Sequence, residues 1–286
     1  MKNIFLHLRL PFSFFLLPIF LFALSQSPQP SVPDAWWVFF ILHFLLFPAS
    51  NAYNSYYDKD EGSIGLLENP PPVSKPLLYA AWGLDFTAIV LGFWFVGALF
   101  MGYLVVYIII SRAYSHPMIR LKKYPVVSWI IVTIFQGALT YLAVYQAINR
   151  VPVLSLLTPQ LLPALVCTSN LLAIYPITQV YQHEEDAKRG DLTMSRVLGI
   201  RGTFLSAFTW LGLSGIGFFA FFQDTLQFAV FVVMIMPLLA FLGVWAWRVW
   251  QNEGNADFKS TMILNILASL CLNSFFAILY FLNHVS

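Results

Sequence analysis

Residues 226–248 read LQFAVFVVMIMPLLAFLGVWAWR, and the first charge in this stretch is Arg248. A helix needs about 20 mostly apolar residues to cross the hydrocarbon core of a bilayer, so this stretch is long enough to span one. The whole chain has the same character, because 59% of its 286 residues are hydrophobic and only 10% are charged. A soluble domain carries roughly 25% charged residues. We therefore expect most of the protein surface to face lipid.

Similar apolar runs recur along the chain and predict an all-α polytopic membrane protein, with a single domain over residues 1–286. The first run ends at Ala-Leu-Ser (23–25), so it reads either as a retained helix or as a cleaved signal peptide. Pro11 and Pro18 interrupt it, which favours a retained helix. The nine predicted spans cover approximately residues 10–26, 35–53, 77–95, 97–112, 126–148, 157–181, 202–222, 226–248 and 261–283.

Nine spans put alternate loops on opposite sides of the membrane, and the basic residues follow that division. The N-terminus and the loops near 54–76, 112–125, 182–201 and 248–260 hold all the Lys and Arg residues except Arg150. Because loops rich in Lys and Arg stay cytoplasmic, we expect the N-terminus and these loops in the cytoplasm, with the protein in the cell inner membrane. The net charge of +2 gives no indication of a nucleic-acid partner.

The acidic residues are also concentrated on the predicted cytoplasmic side. Asp34 and Asp224 fall on the other side, and Asp85 lies early in the third span. Acidic residues contribute little to membrane topology. The concentration of carboxylates on one side therefore calls for a different explanation.

Two segments of the chain match each other at a fixed offset. Residues 48–62 read PASNAYNSYYDKDEG, and residues 176–190 read PITQVYQHEEDAKRG. Each segment ends a predicted span on the same side, and the second and sixth spans run in the same direction, so this is a parallel internal repeat. The matched pairs are Pro48 with Pro176, Ser50 with Thr178, Asn51 with Gln179, Tyr53 with Tyr181, Asn54 with Gln182, Asp58 with Asp186 and Gly62 with Gly190.

The polar residues of the repeat have a spacing that suits a metal site. In each segment, two amides and a carboxylate stand at positions i, i+3 and i+7, which lie on one face of a helix. Two such helices would oppose Asp58 and Asp186 across one cavity. Oxygen ligands of this kind suit Mg²⁺, which commonly uses one or two carboxylates together with substrate phosphates. Gly62 and Gly190 are expected to end the helices or to turn the chain over a phosphate. The alternative is that both segments are ordinary polar helix ends.

These segments resemble the two aspartate-rich motifs of the UbiA superfamily of intramembrane prenyltransferases. Residues 54–62 are similar to the family motif Asn-Asp-x-x-Asp-x-x-x-Asp, and residues 182–186 to the motif Asp-x-x-x-Asp. Residues 114–123, YSHPMIRLKK, look like the family's Tyr-Pro-x-x-Lys-Arg loop. Ser55, Gly62 and Gln182 stand where the family has aspartates. The acidic residues that could compensate for the missing aspartates are Asp60, Glu61, Glu185 and Asp191.

The resemblance implies nine transmembrane helices around a central cavity, and it implies a Mg²⁺-dependent reaction. A prenyl group would pass from an allylic prenyl diphosphate to an aromatic or other lipophilic acceptor, with membrane lipid beside the site. Asp58 and Asp186 are implied as catalytic residues. The implied metal ligands are Asn54, Asp58, Glu61, Gln182 and Asp186. The cations implied for the substrate diphosphate are Arg120, Lys122, Lys123, Lys188 and Arg189. The sequence indicates neither the acceptor nor the prenyl chain length.

Other interpretations fit part of the same pattern. A transporter with a parallel repeat also needs a polar site, and a degenerate family member could bind a lipid or a partner without prenyl transfer. The loop cations could serve only to set topology. His183 reads as a base or as an interfacial polar residue, and Asp85 as a cation partner, a cavity residue or an interfacial residue. His43 is expected to be a hydrogen-bonded bundle residue.

Overall fold

The computed structural model describes residues 2–156, 158–223 and 226–284, and these residues form helices and no β-strand. Leu157 and Asp224, predicted for the start of the sixth span and for an outer loop, lie outside them. Nine helices in this part of the chain are long and apolar enough to cross a membrane. They are α1 Lys2–Ser25, α2 Val32–Asp58, α3 Lys75–Val96, α4 Ala98–Ser115, α5 Pro125–Asn149, α6 Leu161–Arg189, α7 Met194–Phe222, α8 Leu226–Gln251 and α9 Phe258–His284.

The all-α fold with nine spans is therefore confirmed, and the main difference from the prediction lies at the helix ends. Helix α2 continues to Asp58 and α6 to Arg189, beyond the predicted ends near 53 and 181. Hydropathy marks only the part of a helix that suits the hydrocarbon core. The two repeat segments continue the helices past that part, into the region where charged side chains are tolerated.

The helices pack in a ring around a central cavity. Helix α2 contacts α3 and α4, α5 contacts α4 and α6, α7 packs along α6, and α8 packs along α9. The ring closes because α9 packs against α1. Large aromatic side chains such as Phe22, Tyr141 and Phe218 are fully buried between the helices. Trp94 and Trp247 are mainly exposed on the outside, as expected for a surface that faces lipid.

Two prolines distort the helices that carry the repeat. Pro48 has no backbone N–H to donate, and it follows a π-helical segment, Ile41–Leu46. Pro176 likewise cannot bond to the carbonyl of Leu172, four residues earlier in α6. The indole Nε1 of Trp129 donates to that carbonyl at 3.2 Å instead. A side chain of α5 thus satisfies the acceptor that the proline leaves free.

Candidate active site

The first repeat segment delivers its polar side chains from an unbroken helix. The α-helix Phe47–Asp58 ends where Lys59 adopts a left-handed conformation with φ 52. Asn51, Asn54 and Asp58 all line a cavity of ≈ 340 Å³ inside the ring of helices. Ser115 on α4 donates from Oγ to Asn54 Oδ1 at 2.9 Å, which orients that amide. The predicted helical face is therefore present in this segment.

The second repeat segment brings its side chains to the same cavity from a broken helix. The α-helix stops at Ile177, a 3-10 turn covers Val180–Gln182, and a new α-helix begins at His183. Its two amides and its carboxylate, Gln179, Gln182 and Asp186, line the cavity despite the break. The continuous helix predicted for this segment is wrong.

The matched hydroxyl groups of the two segments have different partners. Thr178 Oγ1 donates to the carbonyl of Tyr175 on its own helix at 2.7 Å. Ser50, at the matched position, instead bonds through Oγ to Ser111 Oγ on α4 at 2.6 Å. The Ser50 hydroxyl thus connects α2 to α4, whereas the Thr178 hydroxyl forms no such connection through this bond.

The two glycines of the repeat also have different roles. Gly190 ends its helix with φ 71, as predicted, whereas Lys59 rather than Gly62 ends α2. The backbone N–H groups of Glu61 and Gly62 both donate to Glu185 Oε1, at 3.1 and 3.2 Å. A Cβ atom at position 62 would lie 2.4 Å from Glu185 Oε2. Gly62 therefore permits a close contact between the two repeat segments.

Lys122 connects the two halves of the repeat. Its Nζ lies 2.5 Å from Asp58 Oδ1 and 3.2 Å from Asp191 Oδ2. Arg120 holds Asp191 with two hydrogen bonds, Nε to Oδ1 at 3.0 Å and Nη2 to Oδ2 at 2.8 Å. Burial alone would raise the pKa of Asp191, but the bonds from Arg120 and the charge of Lys122 lower that pKa below its ordinary value. Asp191 is thus held ionised at neutral pH.

Arg189 forms a second connection between the repeat segments. Its guanidinium bonds to the carboxylate of Asp60, and Nη1 donates to the backbone carbonyl of Asp58 at 3.4 Å. On its own helix, Nη2 lies 3.4 Å from Glu185 Oε1 and 3.8 Å from Asp186 Oδ1. Acidic and basic groups therefore alternate around this end of the cavity.

Not every predicted site residue reaches the cavity. Asn54, Asp58, Lys122, Gln182, Asp186 and Arg189 line it. Arg120 is not among the described residues that line the cavity, but it donates two hydrogen bonds to Asp191, which does line it. Glu61, Lys123 and Lys188 are exposed, and none is among the described residues that line the cavity. Glu61 and Lys188 border a separate surface depression instead.

The rest of the cavity is aromatic and apolar. Tyr114 Oη and Tyr175 Oη meet at 2.5 Å, where α4 and α6 approach each other. Deeper in the cavity, Phe22 and Phe276 stack with ring centroids 4.5 Å apart. Phe135 belongs to a π-helical segment of α5 and also lines this region. The cavity therefore joins a charged end to a hydrocarbon-like interior.

Asp85 and His183, which the sequence left open, and His43 all have structural partners. Arg112 pairs with Asp85 and lies over the ring of Tyr53, with its guanidinium carbon 3.9 Å from the ring centroid. His183 Nε2 lies 2.7 Å from Ser195 Oγ. His43 Nδ1 lies 3.0 Å from the backbone carbonyl of Ser13. His43 is thus the hydrogen-bonded bundle residue that was expected.

Comparison with known protein families shows which family the chain belongs to. The model described as the UbiA prenyltransferase family matches residues 15–267. This chain belongs to the UbiA prenyltransferase family. A comparison with curated proteins gave no significant match.

Solved structures share the fold of this UbiA-family protein. A UbiA homologue from Archaeoglobus fulgidus bound to DMAPP and Mg²⁺ superposes with a TM-score of 0.69 at 19% identity, over 96% of this chain and 97% of that chain. The same homologue bound to GPP and Mg²⁺ gives 0.64 at 19% identity, over 97% and 99%. A structure of digeranylgeranylglyceryl phosphate synthase gives 0.61 at 15% identity, over 96% and 97%.

Three residues of this UbiA-family site were not singled out from the sequence as site residues. Arg9 from α1 lines the charged end of the cavity, and Tyr175 meets Tyr114 below it. Arg9 lies in a segment read only for its apolar run, and no spacing rule connects it to the repeat. Tyr114 opens the stretch that looks like the family's loop, Tyr175 lies in the sixth predicted span, and only the approach of α4 and α6 in the folded chain makes them a pair.

Proposed function

We propose that this protein transfers a prenyl group, in a Mg²⁺-dependent reaction, from an allylic prenyl diphosphate to a lipophilic acceptor within the membrane. The observation that carries the proposal is the shape and charge of the cavity. Four aspartates and three cations line one end, and aromatic and aliphatic side chains line the other. A prenyl diphosphate has the same division, because a charged head is joined to a hydrocarbon tail.

The oxygen donors of the cavity fit Mg²⁺. Over the residues that the structure describes, no group of three or more His, Cys, Asp or Glu side chains is arranged to hold a metal ion. Mg²⁺ commonly takes one or two carboxylates and completes its shell with water and substrate phosphates. Asp58 and Asp186 would hold it, with the amides of Asn54 and Gln182 beside them. Mg²⁺ would neutralise charge on the departing diphosphate. The Mg²⁺ bound with DMAPP or GPP in the A. fulgidus homologue supports this assignment.

The buried cations have a role in the same step. The C1–O bond of the allylic diphosphate breaks, and its electron pair leaves with the diphosphate. Lys122 and Arg189 would stabilise the negative charge that develops there. Both now pair with aspartates of the cavity. Metal binding to Asp58 and Asp186 would compete with the contacts that Lys122 and Arg189 make with these two carboxylates, so both cations could turn toward the diphosphate.

The interior of the cavity would protect the reacting carbon. An allylic cation reacts with water, so the site must keep water away from C1 while the acceptor forms the new bond and loses a proton. Tyr114 and Tyr175 border the charged end, and their aromatic faces would stabilise a positive charge. Phe22, Phe135 and Phe276 would surround the prenyl tail.

The orientation in the membrane is part of the proposal. The N-terminus and the loops after α2, α4 and α6 would face the cytoplasm, and the membrane would be the cell inner membrane, because these loops carry most of the Lys and Arg residues. A topology reporter inserted at Met118 should report the cytoplasm, and one inserted at Val153 should report the opposite side. Two reporters on the same side would contradict this orientation.

A direct assay tests the reaction itself. Purified protein in lipid nanodiscs is incubated with Mg²⁺, a series of allylic diphosphates of increasing length, and either candidate aromatic acids or membrane lipid extract. We expect release of inorganic diphosphate and a new prenylated product by mass spectrometry, both abolished by EDTA. Glu68→Gln, which changes an exposed carboxylate outside the cavity, is the matched control. If no allylic diphosphate binds in the presence of Mg²⁺, the proposed function is wrong.

A further inference from the structure

Away from its charged end, the cavity is lined by polar side chains that carry no charge. All the cations among the described lining residues belong to the charged end, namely Arg9, Lys122 and Arg189. Asn170 of α6 also lines the cavity. It precedes Tyr175 by five residues in the same helix, so it lies about 7 Å deeper in the cavity than the tyrosine that borders the charged end.

The amide of Asn170 is oriented by a neighbouring helix. Ser214 on α7 is buried, and its Oγ donates to Asn170 Oδ1 at 2.9 Å. This bond uses the oxygen of the amide, and it leaves the Nδ2 group with its two N–H donors. Among the described residues, Nδ2 has no hydrogen-bond partner. Asn170 therefore offers hydrogen-bond donors to the cavity without offering a positive charge.

A close contact between α5 and α6 positions a second amide at the cavity wall. The backbone N–H of Ala138, in the π-helical segment of α5, donates to Thr168 Oγ1 at 3.0 Å. A Cβ atom on Gly137 would lie 2.8 Å from the backbone nitrogen of Thr168, so this approach requires glycine. Gln136 is the preceding residue; it lines the cavity and interacts with the hydroxyl group of Tyr107 on α4. The polar part of this wall is thus built from neutral groups.

The free donors of Asn170 indicate a ligand that can accept a hydrogen bond. The prenyl tail cannot, because it is a hydrocarbon. An N–H group that faces an apolar space without a partner is unfavourable, so an oxygen from a ligand would stabilise it. A carboxylate does not suit this region, because no cation of the described lining residues lies there to compensate a desolvated charge. The ligand that must reach the prenyl group from inside the cavity is the acceptor.

We propose that Asn170 donates a hydrogen bond to an uncharged oxygen of the acceptor, a carbonyl or hydroxyl group, and that the enzyme selects uncharged acceptors over carboxylates. The inference rests on the proposed function, because it assigns the second substrate of that reaction. The bond would hold the far side of the acceptor and leave its nucleophilic atom directed toward C1 of the prenyl group. Ser214 is a positioning residue, because it acts through Asn170.

A matched pair of probes tests the selection for an uncharged oxygen. The full-length protein in lipid nanodiscs, with Mg²⁺ and geranyl S-thiolodiphosphate bound, is titrated with 4-hydroxybenzamide and with 4-hydroxybenzoate. The two probes share the ring and the phenol and differ in charge. Because an unpaired carboxylate is much costlier to bury than an amide, we expect the amide to bind at least about 10-fold more tightly in saturation-transfer NMR. Equal affinity, tighter binding of the acid, or binding of neither probe would overturn the inference.

Asn170→Leu tests the residue itself, because it keeps the approximate size of the side chain and removes the donors. We expect it to bind 4-hydroxybenzamide about 5-fold more weakly, as for the loss of one neutral hydrogen bond, and to bind geranyl S-thiolodiphosphate normally. Ser214→Ala should cause a smaller loss, because the amide keeps its donors but not its orientation. If Asn170→Leu does not fold, Ser214→Ala decides.

The matched control is Ser169→Ala. Ser169 Oγ donates to the carbonyl of Trp210 at 2.9 Å, so this variant also removes a bond between α6 and α7, next to Asn170. Ser169 is not among the described residues that line the cavity, and the variant should bind both probes as the wild type does. A loss equal to that of Ser214→Ala would mean that these bonds only hold the helices together, and the inference would fail.

The natural acceptor gives an independent result. When the wild type is incubated with membrane lipid extract and an allylic diphosphate, the prenylated product should contain an uncharged acceptor. A product that carries a carboxylate on the acceptor, or unchanged affinity of Asn170→Leu for 4-hydroxybenzamide, would overturn the inference and leave the proposed function intact. Failure of the wild type to bind geranyl S-thiolodiphosphate in Mg²⁺ would instead contradict the proposed function.

Discussion

The two repeat segments carry the same polar pattern, but their backbones deliver it differently. Residues 47–58 form one α-helix that ends at Lys59, whereas residues 161–189 are interrupted by a 3-10 turn before Asp186. Both carboxylates nevertheless line the same cavity. The shared sequence pattern therefore places its oxygens at one cavity, although the backbone follows a different path in each segment.

The residues that directly follow the two segments also have different partners. Asp191 follows the second segment and contacts both Arg120 and Lys122 of the basic loop. The corresponding position after Gly62 is Ser63, whose backbone carbonyl accepts a bond from Gln182 Nε2 at 3.0 Å. The turn after the first segment thus contacts the second segment, and the turn after the second segment contacts the basic loop. The variants below test whether the two halves are equally important for chemistry.

The largest expected effect comes from removing either carboxylate. Asp58→Asn and Asp186→Asn should each lower Mg²⁺-dependent turnover by about 100-fold or more, if the lost charge contributes about 3 kcal/mol to holding metal and diphosphate. The measurement is activity as a function of Mg²⁺ concentration, with Glu68→Gln as the control. Equal losses would indicate a symmetric site. A large loss in only one variant would indicate that the repeat reflects shared ancestry but that the site is asymmetric. Normal Mg²⁺ dependence in both variants would mean that the two segments are only structural helix ends.

A smaller effect is expected from the lysine that joins the two halves. Lys122→Gln should weaken diphosphate binding by about 30-fold, because about 2 kcal/mol is a typical contribution of hydrogen bonds to charged groups. Lys123→Gln provides the matched control, since its exposed neighbouring side chain does not reach the cavity. Its affinity should stay within about twofold of the wild type. Both variants are measured by titration in Mg²⁺ with geranyl S-thiolodiphosphate, a slowly reacting substrate analogue. Equal effects would mean that the charge of the loop matters and the contact of Lys122 with the cavity does not.

The sequence predicted the parts of this architecture that depend on local pattern. Hydropathy identified nine spans, and the spacing of amides and carboxylates identified residues that line the cavity. Both patterns can be recognised without knowing how the helices pack against each other. The difference between α2 and α6 was not predictable in this way. Ser50 and Thr178 are similar hydroxyl residues, and only the presence of Ser111 on α4 gives Ser50 a partner away from its own backbone.

The basic loop, residues 112–125, shows that the burial of a single side chain was also not predictable from the sequence. Lys122 and Lys123 are adjacent and chemically alike, yet only Lys122 is buried at the cavity. The left-handed conformation of Arg120, with φ 44, starts the short 3-10 turn that directs them differently. Arg9 could not be identified for a related reason, since only the folded chain shows that its side chain lines the cavity.

The smallest expected effect tests the contact between the halves at Gln182. Its Nε2 donates to the carbonyl of Ser63 at 3.0 Å, so the side chain has a structural role besides the metal role predicted for its oxygen. Gln182→Asp introduces the carboxylate that the family has at this position, but loses that donated bond. Gain of a charged ligand and loss of a hydrogen bond oppose each other, and we expect a change in turnover of no more than about threefold. Mg²⁺ should bind more tightly.

Gln182→Leu separates the two roles, because it removes both the oxygen and the donor. We expect this variant to lose more activity than Gln182→Asp, by about 10-fold, since the cavity loses a polar ligand and the Ser63 carbonyl loses its partner. Mg²⁺ titrations of activity, with thermal unfolding of each variant, distinguish the causes. A variant that is less stable but keeps its Mg²⁺ dependence would assign Gln182 to the contact between halves. A shift in Mg²⁺ dependence with unchanged unfolding temperature would assign it to the metal, and would make the second half closer in function to the first than its broken backbone suggests.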